Sequence, residues 1–198
     1  MRCVGVILAG GGATRFGGKP KGLELVDGVR IIDRVAAALR GAADELLLIA
    51  NDPGADAWIP GVRTAADVRR GDGALGGLHA ALSHAGGHAV LVVAWDMPFL
   101  SEGLLRALRA EGERGFEAVV PESGTSGRGV EPLCAWYGPS CLPAIERYLD
   151  AGDRRVVSFF DDVRVAHLPA AEVSQYGDPA RIFFNVNRPA DLPLSSQP

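Results

Sequence analysis

The chain has 198 residues, a length that suits one domain with a sizeable core. Its formal net charge of −4 at pH 7 argues against general binding to nucleic acids or to membrane surfaces. No segment approaches the roughly 20 apolar residues that span a bilayer. The three cysteines form no CxxC pair, which is typical of reduced thiols. We therefore predict one cytoplasmic domain over residues 1–198, with a frayed tail at 193–198.

Strand-like and helix-like segments alternate along most of the chain. Short apolar runs predict buried strands at 4–8, 46–50, 89–94 and 118–121. Apolar residues at helical spacing predict helices at 31–40, 75–84 and 104–114. After a polar, glycine-rich loop at 122–129, we expect a strand at 131–137, a helix at 141–150 and a strand at 163–168. This order predicts βαβ crossovers in a Rossmann-like, three-layer α/β/α fold with a mostly parallel central sheet.

The first predicted strand runs into a glycine-rich segment with cationic side chains. Residues 6–22 read VILAGGGATRFGGKPKG. Glycine amides can approach an anion closely, and arginine and lysine add full positive charge, so the segment predicts a polyphosphate site. It is not a Walker A motif, because Pro20 follows Gly18-Lys19. It also departs from the dinucleotide fingerprint, because Arg15 stands where the third glycine lets the helix pack closely.

The pattern that remains resembles the nucleotidyltransferase family that includes the molybdenum cofactor guanylyltransferases. It consists of a strand end, two glycines and two spaced cations: Leu8, Ala9, Gly10, Gly11, Arg15 and Lys21. The resemblance extends from Val4 to Leu192 and implies a nucleotide-diphospho-sugar transferase-like scaffold. It also implies the reaction, in which the GMP moiety of GTP joins the phosphate of molybdopterin and pyrophosphate is released.

Nucleotidyl transfer gives each part of this segment a role. Both reactants are anionic, so charge neutralisation and alignment dominate the catalysis. We expect the amides of Gly10, Gly11 and Gly12 to hold the β- and γ-phosphates. Arg15 and Lys21 would stabilise the charge of the leaving group. Lys19 is either a further contact or an exposed lysine that Pro20 turns away.

Asp96 follows the most apolar predicted strand, within the sequence VVAWDMPF. Ligands of open α/β sheets bind at the carboxyl ends of the strands. A carboxylate there suits Mg²⁺, which takes one or two carboxylates and phosphate oxygens of the substrate. The alternative role is to cap the next helix, but Ser101 is the better cap candidate. We predict that Asp96 is a catalytic metal ligand, a role that the resemblance also implies.

Two further polar residues are candidates for nucleotide binding. Asp67 precedes the turn GDGALGG and matches a family aspartate that, with the turn, closes over the base and ribose. The turn departs from the family pattern, with Ala74 in place of proline and Gly76 in place of alanine. Asn51 ends the second strand, and its amide could read a base edge. Alternatively, Asn51 opens the turn that contains Pro53 and Gly54.

The last motif reads FFNVNRPADL at 183–192. The family ends similarly, and alternation places Asn185 and Asn187 on one face of an extended segment. We expect Asn187 to be a metal ligand beside Asp96, and Asp191 to cap the last turn.

Other residues resemble family segments near the acceptor. Glu131 corresponds to the segment beside the pterin, and Arg154 and Arg155 lie in an arginine-rich stretch that suits the pterin phosphate. With Asn185 they form the predicted acceptor-binding set. The alternative is that they are solvated surface residues.

The resemblance thus predicts a Mg²⁺-dependent guanylyltransferase with two substrates, GTP and either molybdopterin or Mo-molybdopterin. Molybdenum-cofactor carriers or acceptor enzymes are predicted as further partners, and nucleic acids and membranes are not. A cytidylyl- or sugar-phosphate nucleotidyltransferase on the same scaffold is the nearest alternative. A non-catalytic nucleotide-binding module is a second, against which Lys21, Asp96 and Asn187 argue jointly.

Overall fold

The computed structural model describes residues 1–10, 20–124, 127 and 129–192. In chain order the strands are β1 (Cys3–Leu8), β2 (Leu25–Val26), β3 (Val29–Arg30), β4 (Glu45–Ile49), β5 (Arg63–Ala65), β6 (Ala89–Ala94), β7 (Ala118–Pro121), β8 (Cys134–Tyr137) and β9 (Val165–Leu168). The α-helices are α1 (Ile31–Arg40), α2 (Gly73–His84), α3 (Glu102–Gly112), α4 (Leu142–Asp150), α5 (Ala170–Val173) and α6 (Pro179–Ile182).

Seven of these strands form one twisted sheet in the order β5-β4-β1-β6-β8-β7-β9. β1 lies parallel to β4 and β6, and its Val6 pairs with Leu47 on one side and Val92 on the other. Only β8 runs antiparallel to both of its neighbours. β2 and β3 form a separate hairpin that leads into α1. The predicted mostly parallel sheet is therefore confirmed.

Helices cover both faces of the sheet, which explains why its central strands are apolar at almost every position. Successive side chains of a strand point to opposite faces. In β1, Ile7 packs in the cluster that includes α1 and α3, and Val6 packs in the cluster that includes α2 and α4. These two apolar layers make the three-layer α/β/α arrangement that the sequence predicts.

The structure shifts several predicted boundaries for identifiable reasons. The strand predicted at 131–137 begins only at Cys134, because the Cys134 amide first donates to the carbonyl of Glu131 and closes a turn. α3 begins at Glu102 because Ser101 caps it, with the Leu104 amide 3.5 Å from Ser101 Oγ. This confirms the predicted cap and leaves Asp96 free of that role.

All three cysteines are buried and unpaired, as predicted. Burial raises the pKa of Cys3 to about 11 and that of Cys141 to about 12. These thiols are therefore protonated at neutral pH and poorly reactive. Within the part of the chain that is described, none of the helices has the length and apolar character needed to cross a membrane.

The sheet order brings three strand ends together at one edge. β4, β1 and β6 are adjacent and parallel, so Ile49, Leu8 and Ala94 end side by side. The segments that follow these strands carry Asn51, Gly10 and Asp96.

Candidate functional site

A cleft of about 410 Å³ opens at this edge of the sheet. Leu8, Ile49 and Ala94 line it from the strand ends, and Leu133 adds an apolar wall. The polar lining includes Asn51, Asp67 and Asp96, which the sequence predicts as site residues. The opposite wall is the start of α2 and the loop before it, with Gly71, Gly73, Ala74 and Gly77. The structure thus gathers predicted residues that are far apart in sequence into one cavity.

Asn51 and Asp67 bind each other across the cleft wall. Asn51 Nδ2 donates to Asp67 Oδ2 at 2.6 Å, and the Asp67 amide donates to Asn51 Oδ1 at 3.0 Å. Asn51 therefore does not open the turn at Pro53-Gly54, where Asp52 Oδ1 accepts from the Gly54 amide at 2.7 Å. The reciprocal pair fixes the loop after β5 against the end of β4.

Lys21 and Asp96 form a largely buried ion pair at the floor of the site. Lys21 Nζ donates to Asp96 Oδ2, and the two side chains are only 17% and 10% exposed. The second carboxylate oxygen, Oδ1, is buried and has no hydrogen-bond partner among the residues that the structure describes. An unsatisfied buried carboxylate oxygen is costly, so a cation or donor at this oxygen would stabilise the site.

Gly22 explains how Lys21 reaches this position. The short 3₁₀ turn Lys21–Leu23 lies directly on the indole ring of Trp95. A Cβ atom at Gly22 would come within 2.4 Å of Trp95 Cε3. Trp95 is held from its other side by Trp58, with ring centroids 5.4 Å apart and planes at 21°. The absence of a side chain at Gly22 therefore allows the lysine turn to settle beside Asp96.

The C-terminal motif lies against the same aspartate. The Val186 amide donates to the Asp96 carbonyl at 2.9 Å. Asn185 and Asn187 are the residues on either side of Val186. Asn185 is half-buried and donates to the carbonyl of Phe183, whereas Asn187 is exposed. Asp191 Oδ2 accepts from the amides of Asn187 and Arg188, each at 2.8 Å, and so closes the final turn.

The oxygen ligands at this site suit Mg²⁺, and they are too few to hold a metal ion by protein side chains alone. The described residues contain no group of three or more His, Cys, Asp and Glu side chains that could hold a metal. Asp96 Oδ1 is a carboxylate oxygen without a partner among the described residues, and Asn187 follows Val186, whose amide binds the Asp96 carbonyl. Mg²⁺ commonly takes one or two such ligands and completes its shell with water and substrate phosphates.

The predicted acceptor residues are placed differently from one another. Arg154 Nη2 is 2.9 Å from Asp72 Oδ1, at the start of α2, next to the cleft-lining Gly73. Arg155 instead binds Asp153, two residues away, and neither arginine is among the described residues that line the cleft. This ion pair holds the pKa of Asp153 well below its usual range. Glu131 lies two residues before Leu133, and its amide donates to Pro121.

Other predicted site residues complete or extend the cleft. Gly10 lines it, and the Ala9 amide donates to the Ile49 carbonyl at 2.9 Å. Gly11, Gly12 and Arg15 lie outside the described residues, as does Lys19. Trp95 and Asp72 lie within two of the motifs but were not predicted as site residues. The signals in the sequence were Gly22, directly after Lys21, and the carboxylate of Asp72, directly after Gly71.

The family model for a MobA-like NTP transferase domain matches residues 5–168. The chain belongs to this family. It is therefore a nucleotidyltransferase, and the matched region includes most of β1, the glycine-rich segment, Lys21 and Asp96.

Individual MobA-like relatives match over almost their whole length. A molybdenum cofactor guanylyltransferase from Desulfosudis oleivorans is 33% identical over 188 residues, which cover 95% of this chain and 91% of the relative. A probable molybdenum cofactor guanylyltransferase from Deinococcus radiodurans is 40% identical, with 94% and 90% covered. The crystal structure of molybdopterin-guanine dinucleotide biosynthesis protein A from Archaeoglobus fulgidus superposes with a TM-score of 0.81 at 27% identity, and covers 98% of this chain and 96% of that one.

Proposed function

We propose that this MobA-like nucleotidyltransferase transfers GMP from GTP to the phosphate of molybdopterin. The products are a molybdopterin guanine dinucleotide and pyrophosphate. The names of the relatives from Desulfosudis oleivorans and Deinococcus radiodurans support the choice of reaction. The observation that carries the proposal is the largely buried Lys21–Asp96 pair, whose aspartate lines the cleft and whose Asp96 Oδ1 is left unpartnered among the described residues.

The reaction is an in-line displacement at the α-phosphorus of GTP. An oxygen of the molybdopterin phosphate forms the new bond to this phosphorus. The bond from phosphorus to the bridging oxygen toward the β-phosphate breaks, and pyrophosphate leaves with the electron pair. No residue is needed as a covalent nucleophile, because the attacking oxygen belongs to the acceptor. The main task of the protein is therefore to align two anions and stabilise their charge.

The side chains at the cleft floor suit this task. Lys21 would supply positive charge where the leaving group gains negative charge, and the turn that carries it packs on Trp95. We assign Arg15 the same role from the opening segment, whose Gly10, Gly11 and Gly12 amides would bind the β- and γ-phosphates. Preorganised charge of this kind lowers the barrier because little rearrangement is needed during the reaction.

Mg²⁺ is the proposed cofactor, held by Asp96 and Asn187. When bound, the ion supplies positive charge to phosphate oxygens of the nucleotide. Asp96 would hold the ion with the carboxylate oxygen that Lys21 does not bind. The hydrogen bond from the Val186 amide to the Asp96 carbonyl anchors the residue before Asn187 on the backbone of Asp96.

The remaining site residues are assigned to the two substrates. Leu8, Ala9, Asn51 and Asp67 would bind the nucleoside part of GTP, since Asn51 and Asp67 form a joined pair on the cleft wall. Arg154 and Arg155, with Glu131 and Asn185, would bind molybdopterin or Mo-molybdopterin. Carriers or acceptor enzymes of the cofactor would be partners in the cytoplasm, and neither nucleic acids nor membranes would take part.

Release of pyrophosphate with each of GTP, CTP, ATP and UTP tests the proposal. The assay contains Mg²⁺ and is run with and without molybdopterin. We expect release only when GTP and molybdopterin are both present, and a loss of at least about 100-fold in Asp96→Ala, which corresponds to about 2.7 kcal/mol. Equal or faster turnover with CTP would instead support a cytidylyltransferase. Nucleotide binding without any turnover would support a non-catalytic module.

A further inference from the structure

Asp72 occupies the N-cap position of α2 but does not cap the helix. No backbone amide of the first turn donates to its side chain. Its carboxylate instead binds Arg154, with Asp72 Oδ1 and Arg154 Nη2 separated by 2.9 Å. Asp72 is 15% exposed and Arg154 is 45% exposed, so the aspartate is the fixed partner and the guanidinium remains half open to solvent.

This ion pair joins two loops that come from distant parts of the chain. Asp72 belongs to the loop that leads into α2 and lines the cleft through Gly71 and Gly73. Arg154 belongs to the loop after α4, and its Cβ lies 3.9 Å from the position that a Cβ on Gly73 would take. Gly73 has φ = +62°, a left-handed conformation that glycine adopts without strain. The guanidinium is therefore held at the edge of the nucleotide cleft.

Gly76 makes this arrangement possible. A Cβ at this position would lie 2.7 Å from Asp72 Cβ. Because Cβ atoms are attached directly to the backbone, such a contact could be relieved only by moving Asp72 or the helix start. The contact between Asp72 and Arg154 therefore depends on the absence of a side chain at Gly76.

We propose that Asp72 is a positioning residue that holds Arg154 at the cleft edge to receive the acceptor phosphate, and that Gly76 provides the space for it. The inference rests on the proposed function, since molybdopterin supplies the phosphate. Asp72 uses one guanidinium edge, which leaves other N–H groups of Arg154 to bind phosphate oxygens. The side chain of Asp72 thus acts through Arg154 and need not touch either substrate.

A matched ion pair on the same loop provides a control. Arg69 Nη1 is 2.7 Å from Asp150 Oδ1, at the end of α4, and the Asp150 side chain is mostly exposed. Asp150→Asn removes an ion pair of the same two segments and leaves Arg154 in place. Asp72→Asn and Gly76→Ala remove or displace the proposed positioning contact.

Steady-state kinetics of the four proteins, with GTP and molybdopterin varied in turn, test the inference. In Asp72→Asn and Gly76→Ala we expect the KM for molybdopterin to rise about fivefold, the value of an ion pair of about 1 kcal/mol, with the KM for GTP nearly unchanged. Asp150→Asn should match the wild type. In an Arg154→Ala background, Asp72→Asn should have no further effect. Equal changes in both KM values, an equal effect of Asp150→Asn, or additive losses would overturn the inference.

The Nε–H resonance of Arg154, followed by NMR in the full-length protein, is a readout that does not need turnover. We expect an ordered side chain in the wild type and in Asp150→Asn, and a mobile one in Asp72→Asn and Gly76→Ala. If the wild type makes no product while this pattern holds, the proposed function fails and the placement of Arg154 stands. If Arg154 is equally mobile in all four proteins, the positioning role fails even when the wild type is active.

Discussion

At the scale of single residues, the central feature of the proposed site is the Asp96 carboxylate, which binds Lys21 through one oxygen and has no partner for the other among the described residues. Lys21 neutralises Asp96 where both side chains are largely removed from water. Breaking such a pair on one side leaves an uncompensated charge, whereas replacing both charges removes the problem. Variants that remove one charge of the pair, compared with variants that remove both, therefore separate its contribution to stability from its contribution to catalysis.

Lys21→Met should lower the free energy of unfolding by about 2 kcal/mol at pH 7, because it leaves the Asp96 carboxylate without its cation. Lys21→Met combined with Asp96→Asn should recover most of this loss. Chemical denaturation of the three proteins measures both effects. Turnover should fall at least about 100-fold in both the single and the double variant, since neither protein has a positive charge at position 21 to stabilise the leaving group. A double variant less stable than Lys21→Met alone would contradict this account of the pair.

At the scale of elements, the turn Lys21–Leu23 is positioned by an aromatic surface in addition to its contacts with α1. Its Gly22 backbone lies on Trp95, which stacks on Trp58. The position of the buried Trp95 therefore determines where the turn places the ammonium group of Lys21. A defect in this packing should affect activity more than stability.

Gly22→Ala should reduce kcat/KM at least about tenfold, because the new Cβ would overlap Trp95 and lift the lysine turn at a cost of about 1–3 kcal/mol. The stacked pair should also change its tryptophan fluorescence. Gly124→Ala is the matched control, since nothing lies within 4 Å of a Cβ at that position. A Gly22→Ala protein with wild-type kinetics would show that this packing does not place Lys21.

A second inter-element contact predicts an effect of acid on stability. Asp44 accepts from the Cys3 amide at 2.8 Å and from Arg109 of α3 at 3.1 and 3.2 Å. The Cys3 amide, followed by Arg109, holds the pKa of Asp44 below its usual value of 3.8. A lowered folded-state pKa adds stability above the unfolded pKa, and this stability is lost as the pH falls through the folded value.

Asp44→Asn should therefore cost about 1 kcal/mol at pH 7, a value limited by screening at this partly exposed position. The difference from the wild type should shrink as the pH falls below about 3.8. Urea denaturation at several pH values measures it. Glu45→Gln, next to Asp44, removes only an exposed pair with Arg2 and should change stability by less than about 0.5 kcal/mol. A loss for Asp44→Asn that stays constant from pH 7 to pH 3 would contradict the assignment.

At the scale of the whole molecule, buried strands and amphipathic helices were predictable because their apolar patterns directly reflect burial. The run at 89–94 became β6 with the predicted bounds, and the run at 31–40 became α1. The hairpin of β2 and β3 was missed because two-residue strands carry too little pattern. The three-residue strand β5 was missed for the same reason.

The site residues that could be predicted from the sequence are those that directly follow a buried strand. Asp96 and Asn51 are found where parallel strands end, as a ligand site of an open α/β sheet requires. The Asp72–Arg154 pair and the seat of Gly22 on Trp95 could not be predicted, because they join segments whose separation in sequence carries no periodic signal. Such contacts depend on how loops pack after the sheet has formed.

Transfer of an isotopic label tests the central claim most directly. GTP labelled at either the α- or the γ-phosphate is incubated with the wild-type protein, Mg²⁺ and molybdopterin. We predict that the α-label appears in the molybdopterin product, that the γ-label appears only in pyrophosphate, and that Asp96→Asn abolishes both. A γ-label on the pterin would show phosphoryl transfer, and release of labelled inorganic phosphate alone would show hydrolysis. Either result would contradict guanylyl transfer at this site.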